Sequence, residues 1–119
     1  MGKELFGFVH MLETTYKIEN YIDLAKKFAK EVEDLGIPIE EMYIFGSRTV
    51  GKGHKDSDLD LCVISSAFGM DDIAERVLLT TLSHDISVYI EPHPFSIQAF
   101  NNKYDPFVKE IKRTGIKII

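Results

Sequence analysis

With 119 residues the chain has room for one domain with its own core and not for two. Hydrophobic residues at 45% and charged residues at 28% exclude a disordered or fibrous chain. A net charge of −5, a single cysteine and no apolar run near the roughly 20 residues of a membrane span argue against a long nucleic-acid track, a cysteine-rich zinc cage and a membrane protein. The expectation is a single domain over residues 1–119, in the cytoplasm.

Residues 1–15 carry no assignable pattern and open no long apolar leader. Tyr21, Leu24, Ala25, Phe28, Val32 and Leu35 then recur at helical spacing, and Gly36 and Pro38 supply a stop, so a helix is predicted over about residues 17–35. Met42-Tyr43-Ile44-Phe45 reads as a short buried strand ending abruptly at Gly46. Leu59 to Ile64 is the second strand, with Cys62 in its apolar run as a buried thiol. Ile73, Val77, Leu78 and Leu82 form the next helical stripe, with Asp71 and Asp72 at its positive end. Ile86 to Ile90 alternates as a third strand, closed by Pro92 and Pro94. Ser96 caps a short helix with Phe95 and Phe100 as a hydrophobic staple. Asp105-Pro106 starts another helix, Gly115 takes the position of a C-terminal capping glycine, and Ile116 to Ile119 is a candidate fourth strand. The fold class is α/β or α+β: a mixed sheet of about four strands with helices packed on it.

The chemistry concentrates between the first two strands. Alternate residues of a strand share a face, so Asp58 and Asp60 present two carboxylates to one side, with Cα atoms roughly 6.5–7 Å apart. Two hard carboxylates at a strand end suit one or two magnesium ions, which keep waters and bridge triphosphate oxygens. Upstream, Gly46 lets a phosphate approach the backbone and Ser47 adds a hydroxyl donor. Arg48, Lys52 and Lys55 lie in the intervening loop, where any of them can neutralise phosphate charge. Taken singly, an Asp-x-Asp or a Gly-Ser is usually only a solvated turn. Here the two features flank one loop between apolar strands, and the aspartates interrupt the start of an otherwise apolar run.

Ile44-Phe45-Gly46-Ser47, ten residues, then Asp58-Leu59-Asp60-Leu61 resembles the signature of the minimal nucleotidyltransferases of the DNA polymerase β superfamily, antitoxin-type members included. Ser57 before the first aspartate is also usual there, and Ile90-Glu91-Pro92-His93-Pro94-Phe95 is similar to a run in small members, so the resemblance spans about residues 20–119. It implies a nucleotidyltransferase fold, with Asp58 and Asp60 on magnesium and Gly46 and Ser47 on the triphosphate of ATP or another nucleoside triphosphate. The implied reaction is transfer of a nucleoside monophosphate, AMP in the first instance, to a hydroxyl acceptor with release of pyrophosphate. It further implies a small helical HEPN-type protein as partner and acceptor, ahead of a nucleic acid. The superfamily adds a third carboxylate from a neighbouring strand. Asp85 and Glu91 share one face of the expected third strand, and both are candidates. Pro92 directly after Glu91 ends the strand and would fix that carboxylate at a sheet edge, so the third strand is expected antiparallel to the second and Glu91 is the expected third carboxylate; a parallel return would make it Asp85.

Three other readings compete. Gly46 to Gly53 matches most of a phosphate-binding P-loop, but Gly53 lacks the final hydroxyl. Asp56-x-Asp58-x-Asp60 begins like a calcium-binding EF-hand loop, but Leu61 and Ala67 stand where glycine and glutamate belong. The rival from another class is a non-catalytic antitoxin or scaffold that keeps nucleotide binding. His10, His54, His84 and His93 form no helical pair at metal spacing and read as surface or packing residues.

Overall fold

The structure, a computed structural model, describes residues 20–46, 59–87 and 89–119. Helix α1 occupies residues 20–34, followed by strand β1 (Glu41–Phe45), β2 (Leu59–Ile64), helix α2 (Asp72–His84), β3 (Ile90–Phe95), the single turn α3 (Ile97–Phe100), α4 (Pro106–Thr114) and β4 (Ile116–Lys117). The four strands form one mixed sheet in the order β3-β2-β1-β4. β1 is antiparallel to both β2 and β4, while β2 and β3 are parallel and joined through α2.

The sheet is covered on both faces, which explains why its central strands read as continuous apolar runs. Ala25, Phe28, Ala29 and Val32 of α1 and Leu79 of α2 pack with Met42, Ile44, Leu59, Leu61, Val63 and Ile90 on one face. The alternate residues Phe45, Cys62 and Ile64 face Phe100 of α3 and Val108 and Ile111 of α4 on the other. Helices therefore sandwich the sheet. Among the described residues, no helix is long and apolar enough to cross a membrane.

The helix starts follow the local chemistry. Asp71 caps α2 by accepting from the Ala74 amide at 3.0 Å, and Ser96 caps α3 through the Ala99 amide. Phe95 and Phe100 meet edge to face at 5.9 Å, forming the staple across that cap. Asp105 accepts from Phe107 at 2.9 Å, with proline in the first turn of α4.

Four expectations are corrected. The third strand is not Ile86–Ile90 but Ile90–Phe95, with both prolines inside it. β3 is an edge strand: the carbonyls of Tyr89 and Phe95 accept from Leu59 and Ser65 of the β2 side, so Glu91, His93 and Phe95 share the inward hydrogen-bonding phase. Pro92 and Pro94 fall in the outward phase, where a missing N–H costs no ladder bond. The strand is also parallel to β2, not antiparallel.

The buried face of α2 is set by Leu79 and Ser83, with Leu82 and Ile86 partly covered, whereas Ile73 and Val77 are exposed. Hydrophobic periodicity missed this face because Ser83 counts as polar. Its buried hydroxyl is satisfied by the Thr80 carbonyl at 2.7 Å. Finally, Gly115 has φ −73°, so it is not a left-handed cap; a Cβ there would lie 2.5 Å from the Ile111 carbonyl oxygen. Close backbone approach is what requires glycine.

Candidate active site

Strand register brings three positions into one row at one end of the sheet. Phe45, the last residue of β1, pairs with Asp60, and Asp60 pairs with Glu91 on its other side. Gly46 follows directly, with φ 92°, a conformation that L side chains rarely adopt. A Cβ on Gly46 would lie 2.5 Å from Oδ2 of Asp60. The glycine is thus needed both for its backbone angle and for the space that the carboxylate occupies.

His93 joins this row from one step further along β3. Its Nε2 lies 3.2 Å from Oδ1 of Asp60 and 4.0 Å from Oε1 of Glu91. One ligand atom from each of Asp60, Glu91 and His93 falls within 4.8 Å of the others. Side-chain exposure falls from 49% at Glu91 to 25% at Asp60 and 14% at His93, so the carboxylates form the rim and the imidazole lies behind them. Behind the imidazole lies an aromatic wall: its ring centroid is 5.2 Å from that of Phe45 and 5.9 Å from that of Phe107, which itself contacts Phe95.

Of the residues singled out from sequence, Gly46, Asp60 and Glu91 are therefore neighbours. Ser47, Arg48, Lys52, Lys55 and Asp58 lie outside the described residues. Asp85 is the C-cap of α2, its amide bonded to Leu82 and Ser83 carbonyls, five residues before β3 begins. Glu91 reaches Asp60 on a parallel strand, against the antiparallel geometry used to favour it. The two errors cancel: β3 starts where the expected strand ended, so Glu91 lies at its beginning. His93, expected at the surface or in packing, instead lies against Asp60. Glu91-Pro92-His93 has the same-face spacing of Asp58-Leu59-Asp60, a signal hidden once Pro92 was taken as a strand end.

The donor set suits a hard divalent cation. Two carboxylates converge at a partly open rim, with the backbone of a glycine turn beside them. Cys62 contributes nothing here: it is buried one step deeper on the same face, and burial pushes its thiol well above the usual range, keeping it protonated and inert.

The family described as polymerase beta nucleotidyltransferase matches residues 25–119, and the chain belongs to that family. No curated protein matches the sequence. Among solved structures, a toxin–antitoxin crystal structure with AMP-PNP is 24% identical, with 79% of this chain and 71% of that one covered and a TM-score of 0.59. A mutant of the toxin–antitoxin pair MntA–HpeT is 20% identical over the same shares, with a TM-score of 0.57. A candidate nucleotidyltransferase from Sulfolobus solfataricus is 21% identical, covering 89% and 83% of the two chains, also with a TM-score of 0.57. These likenesses show a shared fold.

Proposed function

We propose that this chain is a magnesium-dependent nucleotidyltransferase that moves a nucleoside monophosphate, AMP from ATP in the first instance, onto a hydroxyl of a partner protein. The observation that carries the reading is the row Gly46, Asp60 and Glu91 at one sheet end, in a chain of the nucleotidyltransferase family. Two structural neighbours are toxin–antitoxin structures, one of them with AMP-PNP, which supports a toxin as partner; its helical HEPN type and its role as acceptor are what the family resemblance implies.

In this reading Asp58, Asp60 and Glu91 hold the cation. Magnesium at that place supplies charge neutralisation along the triphosphate. Gly46 gives the Asp60 carboxylate its place at the turn, and the Ser47 hydroxyl donates to a phosphate oxygen. Arg48, Lys52 and Lys55 neutralise the β- and γ-phosphates as negative charge collects on the leaving group. The acceptor oxygen attacks the α-phosphorus in line, a new P–O bond forms, the bond to the bridging oxygen breaks and pyrophosphate leaves, while the hydroxyl proton passes to water. In this reading the partner presents the hydroxyl.

The test uses ATP labelled at either the α- or the γ-phosphate, with magnesium and the co-expressed partner. Label should transfer from the α-position only. Asp60→Asn should lower transfer by at least about 100-fold, beyond the 10–100-fold usual when a residue merely supporting a metal ligand is lost. Transfer of γ-label, or an unaffected Asp60→Asn variant, would show that the chemistry is different. Nucleotide binding without transfer would favour the scaffold reading.

A further inference from the structure

We infer that His93 is a positioning residue for Asp60: its Nε2–H donates to Oδ1 and turns Oδ2 toward the Gly46 turn, where the cation and phosphate are received. This inference rests on the proposed nucleotidyltransferase site and gives a role to His93, which that reading leaves without one.

The terminal torsion of an aspartate is broad, so a carboxylate at a half-open rim does not hold one plane unless a neighbour fixes it. Asp60 is such a carboxylate, one-quarter exposed. An ionised carboxylate only accepts hydrogen bonds, so the 3.2 Å contact requires the proton on Nε2 of His93. The imidazole is in turn held against the rings of Phe45 and Phe107. Phe45 stands directly opposite Asp60 in the β1–β2 register, so one strand carries both the wall behind the histidine and the glycine in front of the aspartate. Oδ1 faces the histidine and Oδ2 the glycine position. His93 is the most buried of the three polar groups, on the core side of the carboxylates, which is the place of a support and not of a group at the open rim. A histidine between a carboxylate and an apolar wall fixes the carboxylate's plane.

The test has three arms. In the nucleotide-free protein, nitrogen NMR should find the proton of neutral His93 on Nε2; a proton on Nδ1 alone would overturn the inference. With Mn2+ and an ATP analogue carrying a methylene between the α- and β-phosphates, His93→Leu should weaken binding by about 10–100-fold. His93→Gln, whose amide can donate from nearly the same place, should recover most of that loss. Wild-type binding by folded His93→Leu, or no recovery by His93→Gln, would overturn the inference. Third, electron spin-echo spectroscopy of Mn2+ bound to protein labelled with 15N-histidine should show no strong nitrogen coupling. A nitrogen coupling that disappears in His93→Gln would make His93 a ligand and sink the positioning role. If the wild-type protein binds no metal–nucleotide at all, the proposed function fails, while the proton position still decides the His93–Asp60 contact.

Discussion

At the scale of single residues, the site depends on what is missing at Gly46 as much as on what is present at Asp60. Gly46→Ala would place a methyl 2.5 Å from Oδ2 and force an L residue to φ 92°. The carboxylate is the movable partner, so the steric conflict is relieved by swinging it away from the row. The backbone penalty is separate and costs about 1–2 kcal/mol. Gly46→Ala should therefore abolish metal-dependent nucleotide binding while lowering the thermal midpoint only modestly, as checked by titration calorimetry and thermal denaturation. Binding at wild-type affinity would mean that Asp60 is not where the cation is held. His93 illustrates the opposite case, a residue whose type was visible and whose position was not: only the register of β3 puts it beside Asp60.

At the scale of elements, the start of α2 is where charge and backbone meet. The Glu75 carboxylate accepts from the amides of Gly69, Met70 and Asp71 at 3.0–3.2 Å, gathering the turn that leads into the helix. These bonds, with Gly69 the largest contributor, hold its pKa below the ordinary glutamate value. Because the folded-state pKa is depressed, the stabilisation is fully present above the unfolded-state pKa and is lost as pH falls through the folded one. Glu75→Gln should thus cost about 1 kcal/mol near neutrality, and the difference from wild type should shrink as the pH drops below about 4. Denaturant titrations at several pH values check this; a difference that persists unchanged at low pH would show that the bonds are not charge-dependent. β1 and β4 are tied by a second charged contact, Lys117 to Glu41 at 3.1 Å, which raises the lysine's pKa.

At the scale of the whole molecule, one sheet divides two cores. Leu61 is fully buried under α1 and α2, and Ile111 of α4 is fully buried against the opposite face of the sheet. Neither face can be stripped without exposing the apolar side of the same strands, so the domain should unfold in a single transition. Leu61→Ala and Ile111→Ala should each cost about 2–5 kcal/mol, and because they belong to different packing clusters the double variant should show nearly additive losses. Two separate thermal transitions, or a loss in one variant confined to one face by hydrogen exchange, would contradict the shared-sheet account.

The sequence by itself determined β1, β2, the caps at Ser96 and Asp105 and the pairing of Gly46 with an aspartate-bearing strand. Those features are local: apolar runs bounded by turn residues, and side chains bonding to amides two or three positions away. The chain also declared its family through the spacing of Gly46-Ser47 and Asp58-Leu59-Asp60, because a turn and a strand start are fixed by neighbouring residues. What the tertiary structure alone decided is non-local. Pro92 and Pro94 stop a strand only where their missing N–H would be needed, and the edge position of β3 removes that need. The buried face of α2 turns on whether Ser83 can satisfy its hydroxyl within the helix, which a count of apolar residues cannot see. Strand direction, and with it the meeting of Asp60, Glu91 and His93, is set by how α2 returns the chain to the sheet, and the same helical sequence is compatible with either return.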